Sequence, residues 1–261
     1  VVLELRGVSK RYLARGPLIV DSVDLAVRPG TLVAIHGTNG SGKSTLLRMA
    51  AGFVRPTHGE VIRSCARFGY VPDRALPTPR MTGRDYLRHL AHLAGNRGLS
   101  KAGETLATRF DLQPGLDVPI ASLSRGNLQK LILVQALMRP TQLVVMDEPL
   151  TALDVPSTAV LYDVVHERLQ EGCAVVLATH DAAFNDLGEA FTFVDGRLTP
   201  GADPNLGTLY VIELDDPADH SWRQTHTVTQ SQVAAVLHAA LAANRRVRSL
   251  NPIEPNPRGQ R

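Results

Sequence analysis

The spacing of apolar positions changes along the chain. From Val2 to Val27, short β-branched and leucine-rich stretches are broken by Lys10, Arg11 and the Arg15-Gly16-Pro17 turn, which predicts an antiparallel starting sheet. Pro29-Gly30 ends it, and Thr31–His36 has the length and apolar content of a buried strand. Gly37–Gly42 is dense in glycine. From Lys43 to Gly52, Leu46, Leu47, Ala50 and Ala51 then recur at helical spacing.

Between Phe68 and Arg139 the pattern is mostly helical. Thr82 and Asp85 form a capping box for a helix reaching about Ala94. A second helix is predicted over Lys101–Phe110 and a third from after Ser124 to Met138, where Pro140 stops it. Leu143–Met146 and Ala174–Ala178 are compact apolar strands around a helix over about Ser157–Glu171. Strands alternating with helices predict an α/β protein with a parallel sheet covered on both faces.

Gly201–Asn205 has the composition of a connector. Beyond it, a strand at Leu209–Leu214, a helix over about Gln230–Asn244 and a strand at Val247–Leu250 suggest a small β-α-β extension, residues 206–251, too short for an independent core. Residues 252–261 carry three prolines and no periodicity, and are expected to be a flexible tail.

Length and composition narrow the class. A chain of 261 residues suits one large domain with a small companion, and 44% hydrophobic content supplies a core. The longest apolar run, Cys173–Ala178, is far short of the roughly eighteen residues that a membrane span needs. Cys65 and Cys173 are the two cysteines, which supports neither a disulfide framework nor a thiolate metal site; core thiols are expected. The start Val1–Leu5 has no basic leader, so a cytoplasmic location is expected. The net charge of +3 is too small to argue for nucleic acid. Arg245, Arg246, Arg248, Arg258 and Arg261 face a single late acid, Glu254, and read as a solvated surface.

Three segments carry candidate chemistry. Gly37-Thr38-Asn39-Gly40-Ser41-Gly42-Lys43-Ser44-Thr45 fits the G-x-x-x-x-G-K-[ST] phosphate loop and stands between a strand and a helix, as that motif requires. Glycines let backbone amides turn toward an anion, and the helix adds its positive end. Lys43 would face the β- and γ-phosphates of a nucleoside triphosphate, and the Ser44 hydroxyl would ligate Mg²⁺. Leu143–Asp147 followed by Glu148 is an apolar strand ending in two carboxylates: Asp147 would stand beside the metal and Glu148 would face the attacking water. His180 follows the strand at Val175–Ala178 and would hydrogen-bond a γ-phosphate oxygen. A parallel sheet brings these segments to one edge.

With these residues in order, the sequence resembles an ATP-binding subunit of the ATP-binding cassette (ABC) transporter family, over roughly Leu3–Gly201. Leu123-Ser124-Arg125-Gly126-Asn127-Leu128-Gln129-Lys130 resembles the family's signature segment. The resemblance implies a phosphate-loop parallel-sheet core in residues 1–200, with an N-terminal antiparallel β-subdomain and a helical insert at about 74–139. It implies that Ser124 and Gly126 reach the γ-phosphate of ATP bound to a second subunit, so that hydrolysis requires a homodimer or heterodimer. Tyr12 matches the aromatic that stacks on adenine, Asp154 matches the residue that helps align the subunits, and Asp73 matches a position near Mg²⁺ or the lytic water.

Arg125, Asn127 and Asp73 depart from the usual glycine, glutamine and glutamine of the family, and Thr38 replaces a frequent proline. The resemblance implies Mg²⁺-dependent ATP hydrolysis that powers a separate integral-membrane permease, with export as the expected direction, from the cytoplasmic face of a bacterial membrane. A degenerate ATP-binding subunit paired with an active cassette is one alternative. A soluble ABC ATPase acting on ribosomes or nucleic acid is another, set against a chain too short for two cassettes.

Overall fold

The computed structural model describes residues 1–73, 80–95, 98, 100–179, 182–201, 209–216, 223–229, 236, 240 and 245–253. The chain opens with β1 (Leu3–Lys10), β2 (Val20–Val27), β3 (Leu32–His36), α1 (Lys43–Ala51), β4 (His58–Arg63) and β5 (Phe68–Val71). β1 pairs antiparallel with β2 on one side and β4 on the other. β4 has no counterpart in the sequence reading. It is an edge strand, largely exposed along its length, so no apolar alternation marks it.

The helical stretch holds α2 (Gly83–Leu93), α3 (Lys101–Arg109), the short α4 (Gln113–Leu116) and α5 (Arg125–Leu137). Each of the three long helices starts on a hydroxyl: Thr82, Ser100 and Ser124 accept from the backbone N–H of Asp85, Gly103 and Asn127. Such caps satisfy donors that a helix start leaves orphaned.

β6 (Leu143–Asp147), α6 (Val155–Gln170), β7 (Ala174–Ala178), β8 (Glu189–Val194) and β9 (Arg197–Pro200) complete the main body. Its six-stranded sheet runs β5-β6-β7-β3-β8-β9, parallel except for the β8–β9 hairpin. β3, β6 and β7 are buried at every position, as strands covered on both faces must be. Leu46, Leu47, Met49 and Ala50 of α1 join this sheet and the β1 sheet in one core.

Val1–Thr179 and Phe184–Gly201 make one compact unit, and the strands of the extension belong to a second. The extension departs from the β-α-β expectation: β10 (Leu209–Asp215) lies between β11 (Arg223–Thr229) and β12 (Arg246–Ile253), and both pairings are antiparallel. β11 escaped the sequence reading because Arg-Gln-Thr-His-Thr-Val-Thr is almost wholly polar. Ile212, Leu214 and Ala240 form a small core with Val236 and Val247 at its side. The helix expected over Gln230–Asn244 lies outside the described residues except at Val236 and Ala240. β12 takes in Pro252 and Ile253 of the expected tail, whose remainder also lies outside them.

Candidate nucleotide site

β3 delivers the chain into the Gly37–Gly42 turn, and two of its glycines are fixed by crowding. A Cβ on Gly37, at φ 152°, would stand 2.4 Å from the Phe193 carbonyl oxygen; one on Gly42, at φ 112°, would stand 2.7 Å from that of Ile19. Only glycine combines that backbone with that proximity. Lys43 then opens α1, and its buried ammonium donates to the carbonyl oxygens of Gly37 at 2.6 Å and Thr38 at 3.1 Å.

The acid pair arrives from the other side of β7. Lys43 Nζ stands 3.7 Å from Glu148 Oε1, so the sheet brings the two distant segments together as expected. Burial pushes the Lys43 ammonium below its ordinary range, and Glu148, Asp147 and Asp73 pull it back up. Glu148 sits at φ 50°, with its N–H donating to the Ala178 carbonyl at 2.9 Å. A left-handed glutamate costs on the order of 1 kcal/mol and persists where its surroundings hold it.

Asp147 is fully buried, and neither carboxylate oxygen has a hydrogen-bond partner among the described residues. Burial raises its carboxyl above the usual range. The Ser44 hydroxyl lowers it without reaching hydrogen-bond geometry, Asp73 and Glu148 raise it further, and Arg48 lowers it. The Ser41 hydroxyl is likewise buried without a partner among the described residues. No group of three His, Cys, Asp or Glu is arranged around a metal position among the described residues. An unpartnered buried carboxylate beside a serine hydroxyl is instead the small oxygen set that suits Mg²⁺ when phosphate supplies further oxygens. The residues fit that ion.

Of the other predicted positions, Asn39, Gly40 and Thr45 lie on the same turn and helix start, and Asp73 is close enough for its charge to act on Lys43 and Asp147. Tyr12 is exposed; its hydroxyl is 3.3 Å from Thr45 Oγ1, and Lys10 Nζ lies 5.3 Å from its ring centre. Ser124 and Gly126 are not drawn into the cluster. Ser124 accepts from Asn127 N–H at 3.1 Å, while Gly126 packs on Ala152, whose carbonyl oxygen would stand 2.9 Å from an added Cβ. His180 lies outside the described residues.

Sequence reasoning passed over three neighbours. Arg48 of α1 lowers the Asp147 carboxyl, while burial and then the Asp147 charge raise the Tyr70 hydroxyl of β5. His36 is fully buried at the end of β3, with Nδ1 3.1 Å from the Thr179 carbonyl oxygen and Nε2 2.7 Å from Asn185 Oδ1. Its place immediately before Gly37 was the available signal.

The family model for ABC transporters matches residues 20–151, which takes in the phosphate loop, the signature segment and the acid pair. The chain belongs to the ABC transporter family. It is 35% identical over 173 residues to the zinc import ATP-binding protein ZnuC of Pseudomonas entomophila, covering 64% of each chain. It is 36% identical over 181 residues to the ZnuC of Paramagnetospirillum magneticum, covering 69% of this chain and 68% of that one. The chain thus spans somewhat less than two thirds of the first of these ABC relatives.

Among solved structures, one described as the ATP binding subunit of an ABC transporter superposes with a TM-score of 0.69 at 27% identity, over 77% of this chain and 90% of that one. The ATP-binding cassette MJ0796, in a dimeric post-hydrolysis state bound to ADP and Pi, superposes with a TM-score of 0.67 at 23% identity, over 75% of this chain and 96% of that one. These likenesses bear out the expected α/β cassette fold. The expected direction was export, whereas these ABC relatives are named for import.

Proposed function

We propose that this chain is the Mg²⁺-dependent ATPase subunit of an ABC transporter, working as a cassette dimer on a separate integral-membrane permease. The observation that carries the proposal is the cluster at the sheet edge, where Lys43 meets Glu148 at 3.7 Å beside an Asp147 whose buried oxygens lack partners. Lys43 and the amides of Gly37–Gly42 offset charge on the phosphates, and Glu148 orients the attacking water and takes its proton. Ser44 and Asp147 would hold Mg²⁺, with Asp73 near it. The ion supplies charge neutralisation on the phosphate oxygens when bound.

Tyr12 stacks on adenine, and His180 contacts the γ-phosphate. Ser124 and Gly126 close the site of the second subunit; Ser124 and Arg125 are exposed at the head of α5, as a residue serving another molecule must be. The dimeric state of the MJ0796 cassette supports this assembly. Residues 1–200 form the catalytic domain, with its insert at about 74–139, and residues 206–251 form an appended unit.

The permease contact is read from a cleft of mixed lining, with Phe68, Tyr70, Leu90 and Leu93 beside Gln135 and Arg139, and with the exposed Phe53 edge-on to Phe68 and Tyr70. No helix among the described residues is long and apolar enough to cross a membrane; the proposed attachment is to that partner, at the cytoplasmic face of a bacterial membrane. Import replaces export as the proposed direction, on the names of the relatives.

The test is ATP turnover by Glu148→Gln with Mg²⁺ present. Turnover falls about 10²–10³-fold while ATP affinity stays within about threefold, as removal of a group that acts in the transition state requires. Hydrolysis at the unaltered rate would overturn the assignment.

A further inference from the structure

β3 is apolar until its last residue, where His36 lies fully buried beside Gly37. Its two ring nitrogens reach two points of one distant segment: Nδ1 stands 3.1 Å from the Thr179 carbonyl oxygen and Nε2 stands 2.7 Å from Asn185 Oδ1. A carbonyl oxygen can only accept, so Nδ1 carries a proton. The Asn185 amide, with oxygen on one side and nitrogen on the other, answers Nε2.

The sheet explains why that segment comes here. β7 pairs with one edge of β3 and β8 with the other, both parallel, so residues 179–188 have to cross β3. The far end of the crossing is tied down by Gly188, where a Cβ would collide with the Leu32 carbonyl, and by the fully buried Phe184, which stacks on Tyr162 of α6. At the near end, Thr179 N–H donates to the Ile35 carbonyl at 3.2 Å, and His36 adds its side-chain contacts. A buried imidazole costs free energy unless both nitrogens are met, so its burial favours keeping the segment in this position.

The same residue feeds the phosphate loop. Gly37 follows it directly, crowded by the Phe193 carbonyl, and Lys43 donates to the Gly37 carbonyl at 2.6 Å. One side chain therefore joins the strand that enters the phosphate loop to both flanks of the segment that carries His180.

We propose that His36 is a positioning residue that braces Thr179 and Asn185 against the end of β3 and so sets the reach of His180 to the γ-phosphate. The brace rests on the proposed function, in which His180 contacts that phosphate and the Gly37–Gly42 amides hold the others.

The experiment measures ATP turnover and, separately, the affinities for ATP and ADP, in the full chain and in His36→Leu, His36→Asn and Asn185→Leu. His36→Leu keeps a similar volume without ring nitrogens; turnover falls about tenfold and ATP affinity about fivefold, as a small misplacement of a contact allows. ADP affinity stays within about twofold, because ADP has no γ-phosphate to miss. His36→Asn returns an N–H to the position of Nδ1 and recovers turnover to within about threefold. Asn185→Leu releases one flank alone and shifts the ATP-to-ADP preference the same way, which keeps the test open even if His36→Leu folds poorly.

Equal losses for ATP and ADP would mean that His36 merely supports the phosphate loop, and would overturn the brace. So would an unchanged preference in both His36→Leu and Asn185→Leu. In a His180→Ala background, His36→Leu changes ATP affinity by less than about twofold, since two residues acting through one contact do not add; an undiminished fivefold loss overturns the proposal. If the unaltered chain cleaves no ATP, the proposed function itself falls, and hydrogen exchange judges the brace. His36→Leu and Asn185→Leu then speed exchange in residues 179–187 and leave α1 unchanged; unaltered exchange in 179–187 overturns it.

Discussion

Two lysine–aspartate neighbourhoods lie on either side of the turn that follows β6, and they are built in opposite senses. Around Lys43 and Asp147 the charges are buried and incompletely met: burial pushes the lysine down and the aspartate up, and both oxygens of Asp147 lack partners among the described residues. Around Lys130 and Asp154 the charges are answered within the chain. Ser157 hydrogen bonds, resisted by burial and reinforced by Lys130, hold the Asp154 carboxyl at about 2. A buried acceptor without a partner costs about 1–3 kcal/mol, more when charged. In the proposed function a carboxylate kept in this way beside a phosphate loop would receive a cation and a phosphate, whereas the second pair is framework.

The largest expected effect strikes the first neighbourhood. Lys43→Ala removes a charged contact to phosphate worth about 1.5–3 kcal/mol, so ATP affinity falls by about ten- to a hundredfold, read by nucleotide titration. Its nucleotide-free thermal midpoint moves by no more than a few degrees, because relief of a buried ammonium offsets the loss of its bonds to the Gly37 and Thr38 carbonyl oxygens and of its pairing with Glu148. A large drop in that midpoint would erase the contrast, since Lys43 would then be framework as Lys130 is.

Asp147→Asn comes next, and its sign is the sharper test. Without nucleotide or metal, replacing a buried carboxylate that lacks partners by a neutral amide raises the thermal midpoint by about 2–4 °C, for a gain of about 1 kcal/mol in a chain of this size. Stabilisation of the unaltered protein by Mg²⁺ with ATP disappears in the variant. The folded-state value of Asp147 lies above the ordinary 3.8, so the gain is full at neutral pH and fades as acid protonates the folded carboxyl. A midpoint that falls instead would mean that the two oxygens are satisfied after all.

How far these neighbourhoods could be read in advance differs for a physical reason. The phosphate loop, the acid pair and the edge that joins them were legible because each depends on local spacing: glycines at a strand–helix junction, a continuous apolar strand ending in acids, and a parallel sheet that leaves few ways to assemble them. The hydroxyl caps at Thr82 and Ser124 were legible on the same ground. The Lys130–Asp154 pair was not, because a contact between a helix and the start of the next one has no local pattern. β4 and β11 failed similarly. An exposed edge strand such as β4 and a threonine-rich one such as β11 bury too little on one face to print an alternation. His36 carried one signal, its place immediately before Gly37, and no recurring spacing to strengthen it.

The smallest effect belongs to the second neighbourhood and runs the other way. With a folded-state value of about 2 against an ordinary 3.8, Asp154 contributes stability that is complete above the ordinary value and is lost as pH falls toward the folded one. Its side chain is 55% exposed, so solvent screening holds the contribution to about 1 kcal/mol or less. Urea midpoints of the unaltered chain and of Asp154→Asn therefore differ by the same small amount at pH 7 and pH 5, with the variant less stable, and converge toward pH 3. The corresponding comparison for Asp147→Asn has the variant more stable at pH 7, and its gap closes as pH falls from the raised folded value down to the ordinary 3.8. The two gaps thus carry opposite signs at neutral pH and close on opposite sides of the ordinary carboxyl value. Equal signs at pH 7 would show that one carboxylate is not in the state its surroundings describe.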